Sequence, residues 1–176
     1  MRREAFNEQA VAPRALLSHG TRWQIAWRWW LLALLIVSID LLTKALTEAS
    51  IPYLGFVEIT RFFNYGHWRN PGAAFSFLAD AGGWQRYFFV GLAGVVSIWL
   101  AYALTRPLHI LERWAFSLIL GGALANGIDR GVRGYVVDFL DFHWSGMHWP
   151  AFNVADMAIS AGAALMIAGA FPKPKP

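Results

Sequence analysis

The sequence predicts an all-α membrane protein with four transmembrane helices. Three observations lead to this fold class: the composition is strongly apolar, four apolar segments recur along the chain, and the charged residues collect between them. Of the 176 residues, 57% are hydrophobic and only 15% are charged, and ten Trp and thirteen Phe are present. A soluble domain of this size would struggle to bury so much apolar surface, whereas a lipid bilayer accepts it.

The predicted helices follow one another as four apolar segments, residues 23–46, 87–105, 114–128 and 154–171. The second segment is uncharged and nearly reaches the roughly 20 residues that a helix needs to cross a bilayer. The third and fourth segments are shorter, and each has an aspartate at one end. A short helix that ends in a carboxylate indicates that this end lies in a protein-lined, watered cavity.

Lys and Arg are unevenly divided between the two sides of the predicted bundle. Nine of the fifteen lie before the uncharged core of helix one (residues 29–39), between helices two and three, or after helix four. Because cytoplasmic segments carry the excess of basic residues, both termini are predicted to be cytoplasmic. A cleaved signal peptide is the alternative for the first segment, but no small-x-small cleavage site follows it. The predicted divisions are a cytoplasmic tail (1–22), a transmembrane domain (23–171) with outer loops 48–86 and 129–153, and a second cytoplasmic tail (172–176).

The composition also limits the chemistry. The chain has no cysteine, which excludes disulfides, thiolate metal sites and a cysteine nucleophile. No basic face or RNA-binding motif is present, so nucleic acid is not an expected partner. His143 and His148 lie five positions apart in a loop, and without further ligands they do not predict a metal site.

Polar and ionisable residues collect at the predicted outer ends of the helices. Asp40 and Lys44 are four apart and share a face of helix one, and Asn153 and Asp156 are three apart at the start of helix four. Each pair has a simpler structural interpretation. The first can be an interfacial salt bridge, and the second an N-cap with a carboxylate that complements the helix dipole. Five further polar residues are predicted to lie at the same depth in the membrane: Asn70, Asn126, Asp129, Arg130 and Asp138.

The acids at this edge can do chemistry together. Two carboxylates in a partly desolvated pocket repel each other, so one pKa rises and the pair shares a proton. Such a pair can activate a water against a peptide carbonyl and protonate the leaving amine without a metal or a nucleophilic serine. Other residues nearby have competing interpretations: Arg130 and Arg133 also suit phospholipid headgroups, and Asp141 is predicted to be solvated.

Five ordered motifs make the sequence resemble lipoprotein signal peptidase (signal peptidase II), the A8 family of bacterial membrane aspartyl proteases. The resemblance covers roughly residues 24–171, with one departure at Ala125, where the family usually has Gly before the Asn. The motifs are "IDLLTK" (39–44), "RNPGAAFSFLAD" (69–80), "GGALANGIDR" (121–130), "GYVVDFLDF" (134–142) and "FNVADMAISAGAAL" (152–165).

The resemblance implies an aspartic endopeptidase that cleaves diacylglyceryl-modified prolipoproteins on the amino side of the lipidated cysteine. It implies a multi-pass protein of the bacterial cytoplasmic (inner) membrane, with the active site at the extracytoplasmic side beside a small β-cradle. No cofactor is implied, and we expect a monomer in the phospholipid bilayer. The family's catalytic dyad maps to Asp138 and Asp156. Asp129 is a competing candidate, which we place with the groups that support the site and bind substrate: Asp40, Lys44, Asn70, Asn126, Asp129, Arg130 and Asn153.

Other functions fit the residues less well. A Ser–Lys peptidase would use Ser38 and Lys44, but their six-residue separation is a poor fit to one helix face. A transporter or lipid-binding protein with a proton relay would place its acids near mid-membrane, whereas these acids lie at one edge. A presenilin-type protease would need a Gly-x-Gly-Asp element, which the sequence lacks.

Overall fold

The structure is a computed structural model that describes residues 19–72 and 82–170. The predicted tails therefore lie almost entirely outside the described residues, as does most of the motif at 69–80. The described part contains four helices and one four-stranded sheet. The helices are α1 (His19–Ser50), α2 (Trp84–Ala103), α3 (Ile110–Arg133) and α4 (Val154–Ala170), and the strands are β1 (Phe56–Thr60), β2 (Phe63–Asn70), β3 (Val136–Trp144) and β4 (Met147–His148).

All four predicted apolar segments form helices. Two stretches, Ala26–Ser50 and Trp84–Ala103, are long and apolar enough to cross a membrane, and Val154–Ala170 is a shorter apolar helix. Helices α1 and α2 also expose large apolar side chains such as Leu34 (58% exposed) and Ile98 (74%), as expected for contact with lipid. Four spans and cytoplasmic termini stay a prediction, because length and composition alone support two.

Helix α3 differs most from its prediction, which limited it to residues 114–128. It begins earlier because His109 and Glu112 form a capping box, which satisfies free amides of the first turn. It then continues past Asp129, which pairs with Arg133 one turn later. The helix ends at Gly134, whose φ of 86° provides a left-handed C-cap. Asp129 therefore lies inside a helix and not in the loop predicted to start there.

Helix α3 is also the centre of the bundle, since α1, α2 and α4 all pack against it. Gly122 allows the closest approach to α4. A Cβ atom at this position would collide with the carbonyl oxygen of Ala155 and lie 2.7 Å from Ile159 Cγ1. Small residues at such contacts let two helix backbones approach closely. The approach brings the first turn of α4 against the C-terminal half of α3.

The sheet joins the segment between α1 and α2 to the segment between α3 and α4. It is antiparallel, with the strand order β1-β2-β3-β4, and it agrees with the small β-structure that the resemblance implies. Strands β2 and β3 pair from Phe63 opposite Phe142 to Asn70 opposite Val136, with a register shift between Tyr65 and Trp68. The shift is a β-bulge, which places one extra residue on β2 and re-aims the side chains beyond it.

Candidate active site

Asp138 is a buried carboxylate near the start of β3, with 3% of its surface exposed. Its Oδ1 accepts a 2.6 Å hydrogen bond from Nδ2 of Asn153, in the segment that leads into α4. Its Oδ2 accepts a 3.2 Å hydrogen bond from Nδ2 of Asn70, at the end of β2. The sheet and the start of α4 thus hold this carboxyl group from two sides.

The pKa of Asp138 is raised from 3.8 to about 7. The largest cause is burial, which disfavours the ionised form, and the negative charge of Asp156 acts in the same direction. The hydrogen bonds from Asn70 and Asn153 and the charge of Lys44 oppose these effects only in part. Asp138 is therefore able to hold and release a proton close to neutral pH.

Asp156 lies in the first turn of α4 and is partly exposed. Its Oδ2 accepts a 3.3 Å hydrogen bond from the backbone amide of Asn153, and its own amide donates 2.9 Å to Oδ1 of Asn153. This reciprocal pair confirms the predicted N-cap interpretation. The other oxygen, Oδ1, accepts a 2.8 Å hydrogen bond from Nδ2 of Asn126 on α3.

Asn153 consequently contacts both acids. Its Nδ2 donates to Asp138, while its Oδ1 and backbone amide form the cap with Asp156. One residue, through its side-chain amide and its backbone amide, thus fixes the two carboxyl groups relative to each other, although they come from a strand and a helix. The structure brings these two predicted residues together around Asn153.

Lys44 is the centre of a second, fully buried cluster. Its Nζ lies 2.6 Å from Oδ2 of Asp40 and 2.8 Å from Oδ2 of Asp129, and all three side chains are 0% exposed. It also donates a 2.9 Å hydrogen bond to Oδ1 of Asn126, whose Nδ2 binds Asp156. The predicted salt bridge between Asp40 and Lys44 is confirmed, and the pair is buried inside the bundle.

Asp40 also reaches the start of α4. Its Oδ1 accepts a 2.7 Å hydrogen bond from the backbone amide of Ala155. This amide is one of those that a helix N-terminus leaves without an intrahelical partner. Sequence reasoning missed this contribution of Ala155, because a backbone donor carries no residue signature. Helix α4 is therefore capped by its own Asn153 and by α1.

Asp129 has a different environment from the two acids at Asn153. One oxygen contacts Lys44 at 2.8 Å and the other contacts Arg133, and its side chain is 0% exposed. Arg133 also binds Glu48, with Nη2 and Oε2 3.0 Å apart. The carboxylate of Asp129 is thus paired with two cations and closed to solvent, an arrangement suited to holding the site in place and not to reacting with water.

Arg130 is buried beside the same cluster, with 9% of its surface exposed. It donates hydrogen bonds to the backbone carbonyl oxygens of Gly72 and Asn126. Its guanidinium carbon lies 4.9 Å from the centroid of the Phe89 ring. This inward position favours the predicted role in the site over contact with phospholipid headgroups.

Asp141 is not solvated, contrary to the prediction. It is 3% exposed, and its carboxylate accepts a 2.9 Å hydrogen bond from Nδ2 of Asn64 and contacts Nδ1 of His148 at 2.9 Å. The hairpin of β3 and β4 folds His148 back over it, a non-local contact that a strand pattern does not reveal.

His143 and His148 stack with ring centroids 4.9 Å apart. Within residues 19–72 and 82–170, no group of three or more His, Asp or Glu is placed to hold a metal ion.

Comparisons with known proteins agree with this architecture. The peptidase A8 family model, signal peptidase (SPase) II, matches residues 32–171. A lipoprotein signal peptidase of Serratia marcescens is 53% identical over 133 residues, which cover 76% of this chain and 78% of the relative. Another, of Tolumonas auensis, is 53% identical over 149 residues, covering 83% and 91% of the two chains.

Solved structures show the same fold. A bacterial membrane enzyme determined by the in meso method at 2.3 Å superposes with a TM-score of 0.72 at 30% identity, covering 89% of this chain and 94% of that one. A second, determined at 1.9 Å, gives a TM-score of 0.68 at 31% identity, with coverage of 85% and 92%. The family match spans most of the sequence and includes every residue of the two polar clusters. The chain belongs to the signal peptidase II family of membrane peptidases.

Proposed function

We propose that the protein is an aspartic endopeptidase that removes signal peptides from diacylglyceryl-modified prolipoproteins. It cleaves on the amino side of the lipidated cysteine, with Asp138 and Asp156 as the catalytic dyad. The observation that carries this proposal is that Asn153 donates a hydrogen bond to each of these two carboxyl groups, of which that of Asp138 is buried and that of Asp156 is partly exposed. Family membership supports the peptidase activity, and the relatives' name supports the class of substrate.

The unequal environments divide the roles of the two acids. Asp138 is buried and its pKa is raised to about 7, so at neutral pH it holds a proton in much of the population. Asp156 is partly exposed and is the better placed of the two to receive water. In the proposed reaction Asp156 takes a proton from a water that attacks the peptide carbonyl carbon. Asp138 supplies the proton that the leaving amine requires.

The remaining polar residues hold this pair. Asn126 connects Asp156 to the buried ammonium of Lys44, and Asp40 and Asp129 neutralise that ammonium. We assign the supporting role to this group because its charges are paired internally and closed to water. Asn70 on β2 binds Asp138 directly, and Arg130 on α3 lies beside Asn126; we assign both to substrate binding and support of the site.

The membrane placement is part of the same proposal. Four spans, cytoplasmic termini and an extracytoplasmic sheet place the dyad at the outer surface of the bacterial inner membrane. This level suits a substrate that carries acyl chains, because the chains stay in the bilayer while the scissile bond reaches the acids. The apolar surfaces of α1 and α2 support the bilayer contact.

The test is cleavage of a diacylglyceryl-modified prolipoprotein peptide by purified wild type, Asp138→Asn, Asp156→Asn and Asp129→Asn. We expect the first two variants to fall to background and Asp129→Asn to be impaired but measurable. Thermal unfolding in detergent serves as the control for folding, and the unmodified peptide as the control for lipid dependence. A dead Asp129→Asn beside an active Asp138→Asn would assign the dyad to Asp129 and Asp156. A folded wild type that cuts no peptide would overturn the protease proposal.

A further inference from the structure

The β-bulge in β2 places an indole next to the proposed catalytic strand. Beyond the bulge, Trp68 lies directly opposite Asp138 in the β2–β3 register. Asn70, two positions further along β2, donates a hydrogen bond to the same aspartate. Because side chains two apart share one face of a strand and directly opposed residues share one face of a sheet, Trp68, Asn70 and Asp138 belong to one face.

The indole continues this face away from Asp138. A Cβ atom on Gly66 would lie 2.5 Å from Cζ3 of Trp68, so the indole occupies the space that any side chain at this position would take. Phe56 of β1 pairs with Gly66, and its Cβ is 2.9 Å from the same point. Trp68, Gly66 and Phe56 thus form an apolar strip that crosses β2 and ends on β1.

The far end of the apolar strip is open. Phe56 is 58% exposed, and β1 is the edge strand of the sheet formed by the described residues. Trp68 is partly buried, and its indole covers the buried Gly66 at the centre of the strip. A rigid aromatic surface of this kind contacts an extended chain through apolar area and makes little demand on its sequence.

We propose that the apolar strip binds the polypeptide segment on the carboxyl side of the scissile bond, with Trp68 as its main contact. This inference rests on the proposed function and orientation. The segment on the amino side of the cut is an apolar signal peptide that runs into the membrane, and the acyl chains remain in the bilayer. Only the segment that follows the lipidated cysteine runs from the site away from the membrane, across the sheet. Trp68 is therefore a substrate-binding residue that affects KM more than kcat.

The experiment compares two diacylglyceryl-modified peptides with the same signal segment. The short peptide ends one residue after the lipidated cysteine. The long peptide continues for about ten residues, which suffices because an extended chain rises about 3.3 Å per residue and three strands span about 10 Å. For the wild type, we expect kcat/KM to be about tenfold higher for the long peptide, mainly through KM.

The variants test whether Trp68 causes this preference. Trp68→Ala is expected to bring the ratio of long to short close to one, because KM for the long peptide rises toward its value for the short peptide. Trp68→Phe keeps an aromatic ring and is expected to keep most of the ratio. Gly66→Ala displaces the indole and is expected to reduce the ratio of long to short. Trp144→Ala is the matched control, since this exposed tryptophan (71%) lies at the far end of β3.

Each contrary outcome has a distinct meaning. A wild type without length preference, or a Trp68→Ala variant that slows both peptides equally while folded, overturns the inference and leaves the proposed function intact. An effect of Trp68→Ala that follows acyl-chain length and not peptide length shows that the strip binds lipid, which also overturns it. A wild type that cleaves neither peptide overturns the proposed function itself.

Discussion

Nδ2 of Asn153 donates a 2.6 Å hydrogen bond to Oδ1 of Asp138. The same residue caps the helix that carries Asp156, through its Oδ1 and its backbone amide. Asn153 thus combines a structural role, which any good N-cap could fill, with a positioning role, which requires an amide donor. The two roles can be separated by substitution.

Replacing Asn153 by serine should keep the N-cap hydrogen bond of α4 but remove the side-chain amide that donates to Asp138. We expect Asn153→Ser to unfold near the wild-type temperature but to lose most of its kcat, because Asp138 is no longer held. Asn153→Ala should lose activity as well and also about 1 kcal/mol of stability with the cap. Thermal unfolding in detergent and single-turnover cleavage measure the two effects. Full activity of a folded Asn153→Ser variant would exclude the positioning role.

The burial of Asp138 should lower the free energy of unfolding at neutral and alkaline pH, where its carboxyl group is ionised. Its pKa in the folded protein, about 7, lies above the ordinary 3.8, so the folded state binds the extra proton. The resulting stability is fully present below about pH 4 and is lost as the pH rises through about 7. This shift corresponds to on the order of 4 kcal/mol. We therefore expect Asp138→Asn to be inactive yet more stable than wild type at pH 8, by thermal unfolding.

The pH series supplies its own control. Below about pH 4, where Asp138 is protonated in both states, the advantage of Asp138→Asn should disappear. The activity of the wild type should fall as the pH rises through about 7, since the proposed acid loses its proton. A constant difference in stability between variant and wild type from acid to alkaline pH would contradict the linkage.

Lys44 should be more important for stability than any exposed ion pair of the protein. Lys44→Met removes the cation that neutralises Asp40 and Asp129, both 0% exposed. Breaking a buried ion pair by removing one partner typically costs about 3–5 kcal/mol. Glu48→Gln is the matched control, because its pair with Arg133 is about one quarter exposed and such pairs contribute about 1 kcal/mol or less. Similar unfolding temperatures for the two variants would contradict the buried network.

Gly122 should be intolerant of even a methyl group. Gly122→Ala places a Cβ against the carbonyl oxygen of Ala155, so α4 must shift and move Asp156 with it. We expect lower thermal stability and lower kcat together. Gly91→Ala on α2 is the control, since nothing lies within 4 Å of its added Cβ, and Ala is favoured over Gly in a helix by about 0.5–1 kcal/mol. Equal behaviour of the two variants would exclude close packing as the cause.

The parts of the fold that sequence reasoning predicted are those with a local signature. Apolar runs predicted the four helices. The spacing of Asn153 and Asp156 gave the N-cap that the structure confirms. Each of these features depends on residues a few positions apart, so a single sequence contains the information.

The parts that it missed depend on distant contacts. Lys44 is buried because α3 brings Asp129 to it from 85 positions away. Asp141 is buried because the hairpin returns His148 and β2 supplies Asn64. The true start of α3 was missed for a different reason: His109 is an uncommon N-cap, so its capping box with Glu112 was not recognised.

The hydrogen bond from the Ala155 amide to Asp40 joins positions 115 apart in the chain. During synthesis α1 is completed long before α4. Until α4 is made, Asp40 lacks its hydrogen bond from Ala155 and Asn126 lacks its hydrogen bond to Asp156. The proposed dyad needs α4, which carries Asp156. We therefore expect a chain truncated before α4 to lack cleavage activity.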